Sequence, residues 1–306
     1  MLRLYTHPAC LQHDPGPGHV ERPARLQAIL RALDHDRFAA LDRLEAPPVT
    51  REQLLRVHGA AHISEVLLGA PAGEMLALDQ DTVMGPGSTE AALRAAGAVV
   101  AAVDAVLGGA ALRAFCAVRP PGHHATRERA MGFCLFNNVA VGAAHALAAH
   151  GLKRVAIADF DVHHGNGTQD IFEREPRVLF ASSHQWPLYP DSGREDERGV
   201  GNIVNGTLSP GAGSHEFREL WDGVLLPRLH AFKPQLVLVS AGFDAHRNDP
   251  LADIRLGNED YAWITERLAV LADAHAGGRL VSTLEGGYDL AALATSVSAH
   301  VGALIE

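Results

Sequence analysis

The segment that decides the fold of this chain is Asp159-Phe160-Asp161-Val162-His163-His164-Gly165-Asn166-Gly167, which directly follows an apolar run over residues 155–158. The apolar run predicts a short buried strand, and the two glycines of the segment indicate a turn after it. Side chains two positions apart share a face in an extended chain, so we expect Asp159, Asp161 and His163 to point the same way. Two carboxylates and an imidazole side by side are costly to bury unless a cation neutralises them. The segment therefore predicts a metal site at the end of a strand. The alternative, a solvated acidic turn, needs no apolar strand before it.

The composition is that of a globular protein with an acidic surface. The 306 residues are enough for one large α/β domain or two smaller ones, and 47% of them are hydrophobic. A formal net charge of −10 without a Lys/Arg cluster argues against nucleic acid as a partner. The N-terminal sequence does not have the apolar core of a signal peptide, and charges or glycines interrupt the apolar stretches, so no membrane association is expected. Three cysteines form no even disulfide framework and fit a reducing compartment, most simply the cytoplasm: Cys10, Cys116 and Cys134.

From about residue 112 onward, short apolar runs alternate with helical patterns. Strands are predicted over residues 114–118, 155–158, 178–181, 236–239 and 280–284. Helices are predicted over residues 137–150, 215–231, 258–276 and 289–305. Asn258 is the expected N-cap of the third helix. The chain before residue 108 is expected to be mostly helix and loop, with one short strand over residues 2–5. This alternation predicts an α/β fold with a parallel sheet covered by helices. Because no composition break divides the chain, residues 1–306 are expected to form one domain.

Polar side chains follow four of the predicted strands, and sites form at the carboxyl ends of strands in open parallel sheets. One of these segments carries Asp161 and His163, and another, which follows residues 236–239, carries Asp244. The three side chains supply a mixed nitrogen and oxygen ligand set that leaves a position for water or substrate, as catalytic zinc sites do. One imidazole among the ligands favours zinc over magnesium, and Fe(II) or Co(II) also suits such a site. Considered alone, Asp244 would be interpreted as an N-cap or turn residue. The neighbouring pair of Asp161 and His163 favours a role as a metal ligand instead.

The other two polar segments carry candidate acid–base and oxyanion groups. His123 and His124 follow residues 114–118, and a histidine titrates near working pH. A carboxylate such as Asp159 would fix the tautomer of one imidazole and raise its pKa, whereas an amide such as Asn166 would orient the other without that charge. Tyr288 follows two glycines and is placed to stabilise an oxyanion. Two differently tuned histidines beside a metal-bound water describe a hydrolase. The structural alternatives are a hydrogen-bonded loop pair and a packed tyrosine.

Taken together, these motifs resemble the zinc-dependent histone deacetylase family of the arginase/deacetylase superfamily. The matching segments, in chain order, are Arg119-Pro-Pro-Gly-His123-His124, Gly132-Phe133-Cys134, residues 159–167, Ser240-Ala-Gly-Phe-Asp244 and Glu285-Gly-Gly-Tyr288. Residues 21–26, with the sequence Glu-Arg-Pro-Ala-Arg-Leu, and Asn166 are similar to the class II and bacterial members. The resemblance implies a single-domain fold with a central eight-stranded parallel sheet and helices on both faces.

The resemblance also implies the bound ions. Asp161, His163 and Asp244 would bind one catalytic zinc ion. Family members further bind a structural potassium ion, which here would lie near four residues: Asp159, Asp161, His163 and Ser182.

The resemblance assigns catalytic roles as well. Tyr288 would polarise the scissile carbonyl. His124 would act as general base and then as general acid, with Asn166 orienting its ring. His123, paired with Asp159, would mainly supply electrostatic help.

A narrow acyl-lysine tunnel is implied next to these groups. Phe133, with Gly132 before it, should form one wall, and Leu188 or Tyr189 should form the opposite wall. Leu251 stands where polyamine-selective relatives place Glu to meet a distal ammonium, which argues for an uncharged rim. An acidic residue from elsewhere would still meet a cation or a peptide backbone, and there are two candidates: Asp79 and Asp81.

The function that the sequence favours is zinc-dependent hydrolysis of N-acyl lysine, most directly N-acetyl lysine, in peptides or proteins. Metal-bound water would attack the amide, and a carboxylate and a free amine would leave. One alternative is an acetylpolyamine or other small-molecule deacylase of the same fold. A binuclear manganese ureohydrolase, with His246 or Asp249 at a second metal, and a non-catalytic acyl-lysine reader are less favoured. A homo-oligomer is possible on any of these interpretations.

Overall fold

A parallel sheet of eight strands organises the fold in the computed structural model, which describes residues 2–71 and 73–306. The strands in chain order are β1 (Leu2–Thr6), β2 (Asp42–Glu45), β3 (Leu76–Ala77), β4 (Val83–Met84), β5 (Arg113–Cys116), β6 (Val155–Asp159), β7 (Val178–Gln185), β8 (Ile203–Leu208), β9 (Leu236–Ala241) and β10 (Leu280–Leu284). The sheet has the order β2-β1-β5-β10-β9-β6-β7-β8, and its pairings are parallel. Strands β3 and β4 form a separate antiparallel pair. The predicted α/β fold with an eight-stranded parallel sheet is confirmed.

Helices flank this sheet. They are α1 (Pro23–Leu33), α2 (Arg51–Leu54), α3 (Ala60–Leu68), α4 (Ser88–Leu107), α5 (Asn138–Ala149), α6 (Asn166–Phe172), α7 (Ser214–Leu220), α8 (Leu226–Phe232), α9 (Asn258–Ala276) and α10 (Leu290–Ile305). A π-helical segment, Trp221–Leu225, joins α7 to α8. Helix α4 packs against α5 and the strands β1, β5 and β10, whereas α10 packs against α1 and α9. The two groups of helices cover the apolar strands, as a parallel sheet requires.

The structure follows the predicted elements closely in the second half of the chain. Each of the five predicted strands is present, and the pattern over residues 215–231 forms α7, the π-helical segment and α8 in succession. Strands β2, β3, β4 and β8 and helix α6 were not predicted, so the expectation of one strand before residue 108 is wrong. Strand β2 alternates half-buried and exposed residues, and β8 contains Asn205-Gly206, so neither presents a clear apolar run. Edge strands of this kind give a weak sequence signal.

One predicted detail is wrong, because Asn258 is not the N-cap of α9. Gly257 occupies that position with extended backbone, and Asn258 is the first helical residue. The backbone N–H of Gly257 donates to the carboxylate of Asp260 at 3.0 Å. This carboxylate satisfies the N–H group of the cap residue, so a glycine without a capping side chain can precede the helix.

The structure shows the state of the three cysteines, which were expected to lie outside a disulfide framework. Cys10, Cys116 and Cys134 are free and buried. Burial raises the pKa of each of them, so they are held protonated and pack as small apolar side chains.

Within residues 2–71 and 73–306, none of the helices is long and apolar enough to cross a bilayer.

The order of the central strands explains why the polar segments meet. Strands β5, β10, β9 and β6 are consecutive neighbours that run parallel, so their carboxyl ends lie on one edge of the sheet. Residues at or next to these strand ends are also in register, with Asp159 opposite Ser240 and Ser240 opposite Thr283. Strands β6, β9 and β10 are buried along their whole length. A rigid core therefore positions the loops that leave this edge.

A buried ionic cluster attaches the segment before α1 to the same edge. Arg119 Nη2 donates to Glu21 Oε2 at 2.5 Å, and Arg25 Nη1 donates to Glu21 Oε1 at 2.9 Å. The three side chains are fully buried. Burial alone would raise the pKa of Glu21, but Arg119 and His13 hold it well below its usual range. Arg25 also donates to the carbonyl oxygen of Gly287, just beyond β10, at 2.5 Å. The cluster thus links three distant parts of the sequence.

Substitution of Glu21 by alanine should destabilise the protein by about 3–5 kcal/mol, because two buried guanidinium groups would lose their carboxylate. Denaturant unfolding of the full chain, followed by circular dichroism, measures the change. Glu90→Ala is the matched control, since its ion pair with Arg94 is half exposed and such pairs contribute about 0–1 kcal/mol. Equal effects of the two substitutions would contradict the role given to the buried cluster.

Candidate active site

Two carboxylates and an imidazole converge beyond the ends of β6 and β9. His163 Nδ1 lies 3.2 Å from Asp161 Oδ1 and 3.1 Å from Asp244 Oδ2. The three potential ligand atoms lie within 4.8 Å of one another, and all three side chains are buried. Backbone N–H groups orient the carboxylates, since Val162 donates to Asp244 Oδ1 at 2.9 Å and Gly286 donates to Asp161 Oδ2 at 2.8 Å. This donor set fits a divalent cation such as zinc.

The charges of the cluster favour a bound cation. Burial alone would lower the pKa of His163, but Asp161 and Asp244 raise it to about 10. Burial raises the pKa of Asp244, and the charge of Asp161 adds to the effect. Burial would do the same to Asp161, but the positive charges of His123 and His163 hold its pKa far below the usual range. A centre that stabilises a proton on an imidazole in this way also stabilises a metal ion.

Glycines allow the backbone to lie directly against these carboxylates. A β-carbon at Gly242 would clash with the carboxylate of Asp161, and one at Gly286 would clash with the carboxylate of Asp244. The motifs Ser240–Asp244 and Glu285–Tyr288 therefore need glycine for close approach. Gly286 is one of the two glycines noted before Tyr288 in the sequence.

The neighbouring histidines have different partners and different charges. His123 Nδ1 donates to Asp159 Oδ2 at 3.0 Å, and His124 Nδ1 donates to Asn166 Oδ1 at 2.8 Å. Burial alone would lower the pKa of His123, but Asp159 and Asp161 raise it to about 10. Burial and two nearby charged imidazoles hold the pKa of His124 well below its usual range. One ring of the pair is thus charged and the other is neutral.

Tyr288 approaches the cluster from the end of β10. Its backbone N–H donates to Asp249 Oδ2 at 2.7 Å, and the guanidinium of Arg25 lies 4.7 Å from the centre of its ring. The ring of Phe133 packs edge-on against it at 5.9 Å. Burial raises the pKa of Tyr288 well above its usual value, so the phenol keeps its proton and remains a hydrogen-bond donor.

A cavity of about 250 Å³ opens over these groups. It is lined by Asp81, His124, Gly132, Phe133, His163, Leu188, Tyr189, Leu251 and Tyr288. The lining includes all five residues predicted to bind substrate, and both Leu188 and Tyr189, the two candidates for one wall, are among them. His124 is the member of the histidine pair that lines the cavity. Of the two acidic residues considered for the rim, Asp81 is the one that lines it.

Ser182, predicted near a potassium ion, lies on β7. Its backbone is in register with Asp159 on β6, and its hydroxyl contacts His184 Nδ1 at 3.0 Å. Ser182 is buried, as are Asp159 and Asp161. Asp159, Asp161 and Ser182 thus lie close to the same ends of the neighbouring strands β6 and β7, and the potassium ion stays a prediction.

Comparison with known proteins places this geometry in a family. The sequence model of the histone deacetylase domain matches residues 19–304. A histone deacetylase-like amidohydrolase of Pseudomonas aeruginosa is 42% identical over 302 residues, which are 91% of this chain and 79% of that protein. The chain belongs to the histone deacetylase family.

Further relatives agree with this placement. The human polyamine deacetylase HDAC10 is 41% identical over 321 residues, which cover 99% of this chain and 46% of that protein. The crystal structure of the HDA15 HD domain superimposes with a TM-score of 0.95 at 36% identity, covering 99% of this chain and 88% of that one. This chain is therefore a deacetylase-type hydrolase that acts on amides, as the sequence motifs predicted.

Membership of the deacetylase family removes two of the alternatives. The protein is an enzyme, which sets aside the non-catalytic reader. For a ureohydrolase, His246 or Asp249 would bind a second metal ion, but neither belongs to a metal-ligand cluster among the described residues. Asp249 instead accepts hydrogen bonds from the backbone of Tyr288 and Asp289 at 2.7 and 3.3 Å.

Glu285 has a role that the sequence did not predict, although it opens the Glu285–Tyr288 motif. In this deacetylase, Glu285 Oε2 accepts from the backbone of Gly122 at 2.6 Å and of His123 at 3.1 Å. Its other oxygen accepts from Ser240 Oγ at 3.1 Å. The buried carboxylate thus joins the ends of β5, β9 and β10. Long-range bonds to backbone N–H groups leave no periodicity or spacing, so a single sequence carries no signal for them.

In the metal-free deacetylase, the ring of His123 should titrate near pH 10, and Asp159→Asn should lower that pKa by removing the carboxylate that contributes most to raising it. NMR of the histidine ring nitrogens as a function of pH measures both values. Asn166→Ala serves as control, because it changes the partner of His124 and leaves the partner of His123 in place. Titration of His123 near its usual value in the unsubstituted protein would contradict the charge assigned to it.

Proposed function

We propose that this deacetylase hydrolyses N-acyl lysine side chains, most directly N-acetyl lysine, in peptides or proteins and releases a carboxylate and a free amine. The observation that carries the proposal is the cavity of about 250 Å³, whose lining combines apolar side chains with buried polar groups. Its walls are built by Phe133, Leu188 and Tyr189, which suit an alkyl chain. The buried polar groups in its lining include His124 and Tyr288, which suit an amide.

We assign one catalytic zinc ion to Asp161, His163 and Asp244. Their convergence within 4.8 Å and the raised pKa of His163 support the assignment, and the imidazole ligand favours zinc over harder cations. When bound, zinc would supply a Lewis acid that polarises the carbonyl and activates water. The backbone bonds to both carboxylates hold these ligands in place for it.

His124 is the proposed proton carrier. Because its Nδ1–H donates to Asn166, the unprotonated Nε2 is free to accept a proton from the attacking water. The same ring then returns the proton to the nitrogen of the leaving amine. His123 is charged, is bonded to Asp159 and packs against His124 with ring centres 4.0 Å apart. Its positive charge stabilises the negative charge that develops during attack.

Tyr288 is the proposed hydrogen-bond donor to the carbonyl oxygen. Its phenol stays protonated because it is buried, so it can donate as charge develops on that oxygen. Asp249 holds the backbone of this residue, and Arg25 supports the face of its ring. The two contacts fix the phenol without taking its proton.

Leu251 favours a neutral acyl-lysine over a charged polyamine. It lines the cavity with an apolar side chain, so it offers no counter-charge for a distal ammonium. The second candidate function is deacetylation of acetylated polyamines. The 41% identity to a human polyamine deacetylase supports it. The carboxylate of Asp81 in the cavity lining favours this candidate. The same carboxylate would equally accept hydrogen bonds from the backbone N–H groups of a peptide.

The remaining assignments follow from the family and the composition. We propose a structural potassium ion near Asp159, Asp161, His163 and Ser182, whose buried oxygens would bind it. We further propose that residues 1–306 form one deacetylase domain and that the enzyme works in the cytoplasm, supported by its three free thiols. The net charge of −10 supports a function without direct binding of nucleic acid.

Tyr288→Phe should lower kcat on an acetyl-lysine peptide by about 10²–10³, because one oxyanion donor is lost. Zinc content, measured by elemental analysis, should stay unchanged. Tyr189→Phe is the matched control, since it removes a phenol from the cavity wall and should leave kcat nearly unaffected. Full turnover by Tyr288→Phe would exclude the role given to the phenol.

Leu251→Glu should shift selectivity toward an acetylspermidine substrate by roughly fivefold in kcat/KM, the equivalent of about 1 kcal/mol for one charge pair 4 Å apart in water. Parallel kinetics on acetylspermidine and an acetyl-lysine peptide measure the ratio. Leu251→Gln is the uncharged control of similar size and should change the ratio less. A wild-type enzyme that already prefers acetylspermidine would instead establish the polyamine function.

A further inference from the structure

A second group of potential metal ligands lies between α4 and α5, and the proposed reaction does not use it. Asp104 Oδ1 is 2.7 Å from His145 Nε2 and 2.7 Å from His150 Nε2. The three atoms lie within 4.8 Å of one another. His145 is buried, whereas the side chains of Asp104 and His150 are 52% and 27% exposed, so an ion from solvent can reach the group. Its geometry is that of two imidazoles and one carboxylate around a common point.

The helix ends supply an independent reason for positive charge at this place. Asp104 lies in the last turn of α4, and His150 is the C-cap of α5. The carboxyl end of a helix carries partial negative charge, which a cation stabilises. Neither helix has a basic residue in its last turn. Two negative helix ends and a carboxylate therefore meet without a basic residue in either last turn.

The group is separate from the catalytic centre. Helix α5 begins with Asn138, shortly after the loop that carries His123 and His124, and ends before β6 starts at Val155. The zinc ligands Asp161 and His163 follow the other end of β6. The second group thus lies toward the amino-terminal edge of the sheet.

We propose that Asp104, His145 and His150 form a second metal site, which takes Zn²⁺ or a similar borderline divalent cation. Two imidazole nitrogens and one carboxylate oxygen are ligands that such cations prefer over magnesium or calcium. Three protein ligands leave the remaining position for water on the exposed side. The bound ion ties the end of α4 to the end of α5.

Arg56 sets the strength of this site. Its Nη1 donates to His145 Nδ1 at 3.1 Å, while Nη2 bonds to Glu52 at 3.2 Å. A metal ion on His145 Nε2 moves the ring proton to Nδ1, which then no longer accepts from Arg56. The guanidinium has to swing aside, and its 24% exposure gives it room to do so. The site is therefore weaker than the catalytic one, and removal of Arg56 strengthens it.

Zinc titration of the full-length protein, monitored by calorimetry and elemental analysis, tests the proposal. The unsubstituted chain should bind two zinc ions, one tightly and one more weakly. In Asp104→Asn and in His150→Ala the weaker event should be lost or weakened at least about tenfold, with deacetylation and the tight zinc unchanged. Arg56→Ala should bind the second ion more tightly. Circular dichroism shows that each variant is folded, and the exposed His150 is the safer of the two ligand substitutions.

His230→Ala is the matched control. His230 Nδ1 lies 3.0 Å from His275 Nε2, so this pair also brings two imidazoles together, but no carboxylate among the described residues completes a three-ligand group with it. The second zinc ion should remain in this variant. The proposal is overturned if the unsubstituted chain binds one ion, if His150→Ala still binds two with unchanged affinity, or if His230→Ala is the substitution that removes the second.

Discussion

The constraint on which this structure depends is the burial of four carboxylates at one edge of a parallel sheet. Asp159, Asp161, Asp244 and Glu285 are fully buried at or just beyond the ends of three neighbouring strands. Unpaired carboxylates are too costly to bury at such density. Each therefore has partners that are imidazoles or backbone N–H groups. The proposed zinc ion would complete the neutralisation, so that carboxylates which are costly to bury would serve as its ligands.

Some of these carboxylates serve the proposed chemistry, and others stabilise the groups around it. Asp161 and Asp244 face the proposed zinc ion, whereas Asp159 keeps His123 charged and Glu285 holds the loop that carries the histidine pair. The amide of Asn166 orients His124 without adding charge, which leaves that ring neutral and able to accept a proton. Because the partners come from different strands, a shift of one strand would disturb both the proposed metal ligands and the histidine pair.

The sequence predicted most of what is local and little of what is long-range. The apolar strand before Asp161 and His163 can be read from a few residues, and four such strand endings predict a shared edge once the sheet is parallel. Strand β2 was missed because its residues alternate between half-buried and exposed, and the cap of α9 was misplaced because Asp260 acts from inside the helix. Asp249 and Glu285 contact backbone groups that are distant in sequence. These contacts depend on the folded geometry, so no pattern in the sequence predicts them.

The groups proposed for chemistry and those proposed to meet the distal part of a substrate lie in different kinds of structure. The groups proposed for chemistry lie at the ends of buried strands, where register and hydrogen bonds fix them. The residues that would meet the distal part of a substrate, Asp81, Tyr189 and Leu251, lie in segments outside the strands and helices. A single change at Leu251 alters the charge of the rim by one unit and leaves the metal ligands untouched. Selectivity between an acyl-lysine and a charged polyamine can therefore change by substitution at the rim, while the reaction stays the same.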